Sequence, residues 1–169
     1  MKKLLILVLV FGLASVSYGS LVPVASNFTA VLSGTTLTIS SAVGIAAGSN
    51  MIVGFWDTGG TRTFSNGAIL PSSATANGGS LRGLAVYSDP TNGYGADFTA
   101  GSTGLESPVW DAVAGPWFSV TYNGAVGDAL DVENVANAYA SVGTIYVTPE
   151  PVTIALLGLG GLLLRRRVA

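Results

Sequence analysis

Acidic side chains are the main candidates for chemistry in this chain, because it contains neither histidine nor cysteine. Their absence removes the commonest general base and metal ligand, and with them Ser-His-Asp, Cys-His and ordinary zinc sites. A glycosidase needs two carboxyl groups about 5 Å or about 6.5–9.5 Å apart. Five aspartates could supply a pair: Asp57, Asp89, Asp97, Asp111 and Asp131. Nothing in the sequence places any two of them together, and Asp89 adjoins Pro90, a turn-like context in which a carboxylate caps backbone N–H groups. We therefore expect no catalytic residues and a protein that is not an enzyme.

A cation-binding loop is the second candidate. Residues 88–97 offer hard oxygen ligands, foremost Asp89, Asn92 and Asp97. The spacing differs from an EF-hand loop, which has acids at alternate positions and a closing glutamate. An asparagine- and aspartate-rich surface loop is the other interpretation. We expect no cofactor, with calcium at this loop as the alternative.

Aromatic side chains could bind sugar, because a flat ring stacks on the apolar face of a pyranose. The candidates are Trp56, Tyr87, Tyr94, Trp110 and Trp117. A domain without disulfides must build its core from large apolar groups, so we expect Trp56 and Trp117 in that core. Tyr94 and Trp110 lie in loop-like contexts and are the predicted ligand-stacking residues.

The region between the two hydrophobic ends, residues 20–147, has the size of one domain. It carries two basic residues, Arg62 and Arg82, and eight acidic ones, which gives a net charge of −6. Such a surface repels phosphate backbones, so we expect no nucleic-acid partner.

This middle region has the pattern of a β protein. Residues 28–32 and 35–40 are β-prone and flank Ser33-Gly34, which predicts a hairpin. The other strand-like runs are residues 51–56, 81–87, 117–122 and 135–147, the third with strict alternation. Turn signals at these intervals predict an antiparallel β-sandwich or jelly roll.

The N-terminus has the features of a secretory signal peptide. Lys2 and Lys3 precede an apolar run over residues 4–13, and small residues follow to Gly19. The run is well short of the roughly 20 residues that span a bilayer, so we expect a helix that is removed after Gly19. A retained membrane anchor is the alternative.

The C-terminus carries a second hydrophobic segment, residues 152–164, followed by Arg165, Arg166 and Arg167. The segment is apolar on every side and contains glycines, which membrane helices tolerate. The arginines match the positive charge expected on the cytoplasmic side. We expect a transmembrane helix here, with a buried core helix as the alternative because 13 residues are few.

Pro149, Glu150 and Pro151 precede that segment. Together the tripeptide, the apolar segment and the arginines resemble the PEP-CTERM sorting domain of bacterial exported proteins, over residues 148–167. The resemblance implies cleavage near the tripeptide by an exosortase-type transpeptidase, and release to the envelope or the extracellular polysaccharide matrix. Two prolines hold the backbone extended, which suits an enzyme that reads a strand-like substrate. A plain juxtamembrane linker is the alternative.

The middle region also resembles the cohesin and carbohydrate-binding-module sandwiches. The similarity lies in residues 33–39 and 117–122, and in the Ala-Leu-Asp-Val run at 129–132. We carry over no binding residues from this resemblance.

The sequence thus predicts three parts: a signal peptide at 1–19, an exported β domain at 20–147 and a sorting tail at 148–169. We expect a non-enzymatic protein, held briefly at the inner membrane and then sorted to the envelope or extracellular matrix, with a structural or adhesive role. A cohesin-like module that binds carbohydrate or protein is the first alternative. A polysaccharide hydrolase with paired carboxylates is the second.

Overall fold

The computed structural model describes residues 21–45, 49, 51–70, 83–91, 93–100 and 112–151. These residues form nine strands and two short 3-10 helices, Ala25–Asn27 and Val135–Asn137. The strands are β1 (Phe28–Ser33), β2 (Thr36–Ser41), β3 (Met51–Asp57), β4 (Phe64–Ile69), β5 (Leu84–Asp89), β6 (Gly93–Ala100), β7 (Gly115–Tyr122), β8 (Ala129–Asn134) and β9 (Ala140–Pro149). The prediction of an all-β fold is confirmed.

The strands build one continuous sheet in the order β4-β7-β2-β1-β9-β8-β3-β6-β5. Every neighbouring pair is antiparallel except β1 and β9, which run parallel. The sheet is therefore mixed, whereas the sequence predicted an entirely antiparallel fold. Strand β9 is ten residues long and reaches both halves of the sheet, pairing with β8 first and with β1 near its end. This length is why the two halves stay joined.

The sheet curls until its two edge strands meet and it nearly closes on itself. The backbone N–H of Phe64 in β4 donates to Ser88 Oγ in β5 at 2.6 Å, and that hydroxyl donates to the carbonyl of Phe64. Inside the curl, rings of strands that are not neighbours in the sheet touch. Phe98 of β6 packs against Trp117 and Phe118 of β7, each at 5.3 Å between ring centroids. The inner faces of the two halves therefore form a single hydrophobic core.

The predicted hairpin around Ser33-Gly34 is confirmed. Strands β1 and β2 pair from Phe28↔Ser41 to Ser33↔Thr36, and Gly34 in the connecting turn has φ +58°. That backbone conformation is cheap for glycine and costly for most other residues. Strand β2 then pairs with β7, so two of the three segments that carry the cohesin resemblance lie side by side.

Strand β7 departs from its predicted strict alternation at one point. Trp117 and Phe118 are both fully buried, although they are consecutive. The register against β2 shifts here, because Ile39 pairs with Phe118 while Ser40 pairs with Pro116. Such a bulge turns two successive side chains to the same face. Trp117 is thereby in the core as expected, and its Nε1 donates to the carbonyl of Val113 at 2.7 Å.

The two predicted terminal helices, at residues 1–19 and 152–164, lie outside the described residues. Within the described part, no helix is long and apolar enough to cross a bilayer. Strand β9 continues through Pro149, the first proline of the tripeptide, which pairs with Leu32 of β1. Thr148 Oγ1 also donates to the carbonyl of Ala30 at 3.0 Å. The sheet therefore extends two residues beyond the expected domain end at residue 147.

Candidate functional site

Trp56 lies on the outer face of the sheet, which corrects its expected place in the core. In β3 the inward residues are Val53, Phe55 and Asp57, so the alternation of a strand turns Trp56 outward. Its indole packs over two glycines of β6. A Cβ on Gly93 would lie 2.8 Å from the ring, and one on Gly95 would lie 2.7 Å from it. These glycines make room for the ring to lie close against the sheet.

Two tyrosines complete an aromatic cluster around Trp56. Tyr87 of β5 stacks with it at 5.3 Å between centroids and 24° between planes. Tyr139 meets it edge-on at 5.9 Å and 76°. Tyr139 follows the helix Val135–Asn137 and has φ +60°, directly after Ala138 at φ +51°. Two successive non-glycine residues in the left-handed region are costly, and such strain is concentrated at functional sites.

These rings line an open cleft of about 600 Å³. Its lining residues are Trp56, Tyr87, Thr91, Gly93, Glu133 and Tyr139. A volume of this size lies within the usual range for small-molecule sites, which combine apolar walls with a few polar groups. We call this feature the aromatic cleft.

Two carboxylates flank the same glycine beside the cleft. Gly54 of β3 pairs with Asp97 of β6 on one side and with Glu133 of β8 on the other. Residues paired across a sheet share a face, so both side chains leave the outer face, with Cα atoms roughly 9–10 Å apart. A Cβ on Gly54 would overlap the indole nitrogen of Trp56 and lie 2.8 Å from Asp97 Oδ1. The glycine is therefore needed for this arrangement.

Asp97 lies under the aromatic cluster. The Oδ1 of Asp97 and the Nε1 of Trp56 are both buried, and neither has a hydrogen-bond partner of good geometry. Both atoms lie next to Gly54, on the same face of the sheet. The Oδ2 of Asp97 accepts a long hydrogen bond of 3.5 Å from the Tyr139 hydroxyl. Burial raises the pKa of the Asp97 carboxyl to about 6, against the opposing effect of the polar hydrogens of Tyr139, Trp56 and Tyr87.

Burial and the nearby carboxylates also raise the pKa values of the groups around Asp97. Burial raises the pKa of Glu133, and the charges of Asp131 and Asp97 raise it further. The charge of Asp97, followed by burial, raises the pKa of the Tyr139 hydroxyl. Burial, followed by the charge of Asp97, raises the pKa of the Tyr87 hydroxyl. Among the residues that the structure describes, the charged side chains at the cleft are thus acidic.

The described part of the chain contains one basic side chain, Arg62, and it is engaged elsewhere. It donates to Asp128 through Nε at 3.1 Å and Nη2 at 2.8 Å, and Tyr122 donates its hydroxyl to the same carboxylate at 2.9 Å. Asp57, with a side chain only 1% exposed, accepts the backbone N–H groups of Thr61 and Arg62 and lies 3.6 Å from the guanidinium. Asp57 and Asp128 thus hold loops together.

The other carboxylates proposed as a catalytic pair are dispersed. Asp131 of β8 accepts a hydrogen bond of 2.6 Å from Ser141 Oγ, and it pairs with Trp56 across the sheet. Asp89 accepts the backbone N–H of Thr91 at 2.9 Å, the capping role expected of a turn aspartate. Asp111 lies outside the described residues. The structure brings Asp97 close to Glu133, a residue that sequence reasoning did not select.

The residues of the predicted calcium loop form a hairpin between β5 and β6. Asp89 pairs with Gly93 and Asp97 pairs with Ala85, so the two carboxylates are separated by four residues along the sheet, roughly 13 Å. Asn92 lies outside the described residues. Among the residues that the structure describes, no group of three acidic, histidine or cysteine side chains could hold a metal ion.

Tyr94, one of the two predicted stacking residues, does not line the cleft. Tyr94 alternates with Gly93 and Gly95, so it turns to the opposite face and packs, partly buried, against the core. Trp110 lies outside the described residues. Of the cleft aromatics, Tyr139 was missed altogether. The Gly-Tyr-Gly run at 93–95 was a usable signal, because glycines in a strand often mark the close approach of another group.

Comparison with models of known protein families, with curated proteins and with solved structures finds no match to this chain.

Proposed function

We propose that this chain is a non-catalytic exported protein whose β domain binds carbohydrate in the aromatic cleft. The observation that carries the proposal is the placement of Trp56, Tyr87 and Tyr139 around one open cleft with Glu133 at its side. A contiguous cluster of aromatic rings on the outside of a domain, rimmed by polar groups, is typical of a binding site.

The chemistry of the cleft suits a sugar ring. Tyr139 is 48% exposed, so it offers a ring that a pyranose can cover. Trp56 and Tyr139 stand nearly at right angles, so a ligand that contacts both is held in one orientation. Glu133 is an acceptor for sugar hydroxyls. Apolar walls with a few placed polar groups are the common form of such sites.

The delivery route is the second part of the proposal. The signal peptide at residues 1–19 would direct export, and Pro149, Glu150 and Pro151 with the following apolar segment would be the substrate of an exosortase-type transpeptidase. The protein would reside in the cell envelope or extracellular polysaccharide matrix, where it would have an adhesive role. We also propose that the two halves of the curled sheet act as the layers of a sandwich, in keeping with the cohesin-like resemblance.

A polysaccharide hydrolase is the second candidate, because Asp97 and Glu133 flank Gly54 and the pKa of Asp97 is raised to about 6. A raised pKa is the property that a general acid needs. The position of Asp97 favours binding over hydrolysis, since its Oδ1 is buried beneath Trp56 and away from the cleft. Release of reducing ends from a bound polysaccharide, lost on Glu133→Gln, would support the hydrolase.

Glycan-array binding by the purified chain tests the proposal. Trp56→Ala and Tyr139→Ala should each remove binding. Tyr146→Ala is the matched control, because Tyr146 is 63% exposed and lies outside the cleft lining. Equal loss with all three variants, or no glycan bound by the parent chain, would overturn the assignment of the cleft as a carbohydrate site.

A further inference from the structure

We propose that the aromatic cleft selects a sugar that carries a free amine, so that its ligand is a polysaccharide of cationic amino-sugar units. This inference rests on the proposed carbohydrate function and names the chemical class of its ligand. It depends on two features of the described residues: the orientation of the rings and the acidic side chains around them.

The rings form the walls of a cation site. Trp56 and Tyr139 are 76° apart in plane, and Tyr87 stacks with the indole at 5.3 Å between centroids. The faces of aromatic rings carry partial negative charge and attract ammonium groups, with tryptophan the strongest partner. A neutral sugar would use these rings only through its C–H groups, whereas an amino sugar would use both properties of the same surface.

The charges around the rings have one sign. Glu133 lines the cleft, Asp97 lies beneath Trp56, and Asp131 pairs with Trp56 from the next strand. The single basic side chain in the described part, Arg62, is bound to Asp57 and Asp128. Carboxylates beside a partly dry surface disfavour an anionic ligand and favour a cationic one, because charges interact more strongly at lowered dielectric.

The shape favours a sugar over a lysine side chain. An ammonium group needs only the corner between two rings, while the open cleft of about 600 Å³ also accommodates a flat ring beside that corner. In our arrangement the pyranose lies along Tyr139, and the ammonium group lies in the corner between Trp56 and Tyr139 beside the Glu133 carboxylate. A lysine peptide would satisfy only the second contact.

Calorimetric titration of the purified chain with three tetrasaccharides of the same β-1,4 linkage tests the inference. The ligands are the glucosamine tetramer, its fully N-acetylated counterpart and the glucose tetramer. We expect the glucosamine tetramer to bind at least about tenfold more tightly than the other two, since a partly desolvated ion pair and a cation–π contact each contribute on the order of a factor of ten. A tetralysine peptide should bind more weakly than the glucosamine tetramer.

Glu133→Gln separates charge from shape. This variant keeps the size of the side chain and an acceptor oxygen, so we expect it to lose most of the preference for the glucosamine tetramer over the glucose tetramer. Its thermal unfolding midpoint should match that of the parent chain, or exceed it because a raised-pKa carboxylate has been removed.

The outcomes separate the two proposals. Equal affinity for all three tetrasaccharides would overturn the amine preference and leave the carbohydrate function standing. Binding of none of them would overturn the amino-sugar inference, and the glycan array would then decide the carbohydrate function. Tetralysine that binds as tightly as the glucosamine tetramer would overturn the amino-sugar inference in favour of a protein ligand. An unchanged preference in Glu133→Gln would refute the role given to that carboxylate.

Discussion

Replacing Asp97 by asparagine should stabilise this protein at neutral pH. The pKa of Asp97 is raised from 3.8 to about 6, which corresponds to about 3 kcal/mol at about 1.4 kcal/mol per pH unit. Asp97 is only partly buried, so solvent screening reduces the expected effect to about 1–2 kcal/mol. Asparagine keeps the shape and an acceptor for the Tyr139 hydroxyl but carries no charge.

The dependence on pH has a definite sign. Between about pH 4 and pH 6 the folded chain holds a proton on Asp97 that the unfolded chain has released. The contribution of Asp97 to the free energy of unfolding should therefore fall as pH rises through that window. Above about pH 6 this contribution should stay constant. Asp97→Asn removes this contribution, so the two chains should be equally stable near pH 4 and differ most at pH 7–8.

Urea unfolding followed by circular dichroism at pH 4, 5, 6, 7 and 8 measures the difference between the two chains. Asp128→Asn is the control with the opposite sign. The backbone N–H of Ala125, followed by Tyr122 and Arg62, lowers the pKa of Asp128 against the effect of burial, so this variant should be destabilised at neutral pH and less so in acid. An Asp97→Asn chain that is less stable than the parent at pH 7, or a difference that is the same at every pH, would refute our account of the buried charge.

Three further predictions concern the fold and the tail. Tyr122→Phe should lower the free energy of unfolding by about 1 kcal/mol, because it removes the hydroxyl that donates to Asp128 from an otherwise buried ring; an unchanged urea midpoint would contradict this. Gly95→Ala should lower the free energy of unfolding by about 1–3 kcal/mol, because the new Cβ would lie 2.6 Å from the carbonyl oxygen of Phe55 and 2.7 Å from Trp56. A thermal unfolding midpoint equal to that of the parent chain would contradict this and show that the strand can move aside. Replacing residues 149–151 by alanines should leave uncut precursor in the membrane fraction on immunoblots, and normal processing would rule out the sorting signal.

Local patterns were enough to predict most of the strands. The Ser33-Gly34 turn and the β-prone residues beside it determine the first hairpin, because the glycine accepts φ +58° and the flanking pattern has period two. Residues 51–56 were recognised as a buried strand from their continuous apolar run. Such features depend on near neighbours in the chain, and a sequence contains them directly.

The parallel pairing of β9 with β1 and the bulge at Trp117 could not be predicted in this way. Both depend on contacts between residues that are about 80 to 120 positions apart. Strand β9 was expected to end at residue 147, but its pairing with β1 extends it through Pro149.

The candidate site depends even more on distant contacts. Trp56, Tyr87 and Tyr139 come from three separate parts of the chain, and only the sheet order brings them together. Trp56 was expected in the core because a tryptophan in an apolar run is usually buried. In a strand, consecutive side chains lie on opposite faces, so Trp56 lies on the outer face when Phe55 is in the core. The glycines of β6 that accommodate the indole ring could be identified only after the pairing of β6 with β3 was known.

The indole N–H resonances of an isotope-labelled chain test the central claim most directly, since the protein has only three tryptophans. During titration with the glucosamine tetramer, the Trp56 signal, assigned with Trp56→Phe, should shift and saturate. The Trp117 signal, from a fully buried ring, should stay in place. A stationary Trp56 signal while the ligand binds, or a shift confined to Trp110, would show that the aromatic cleft is not the binding site.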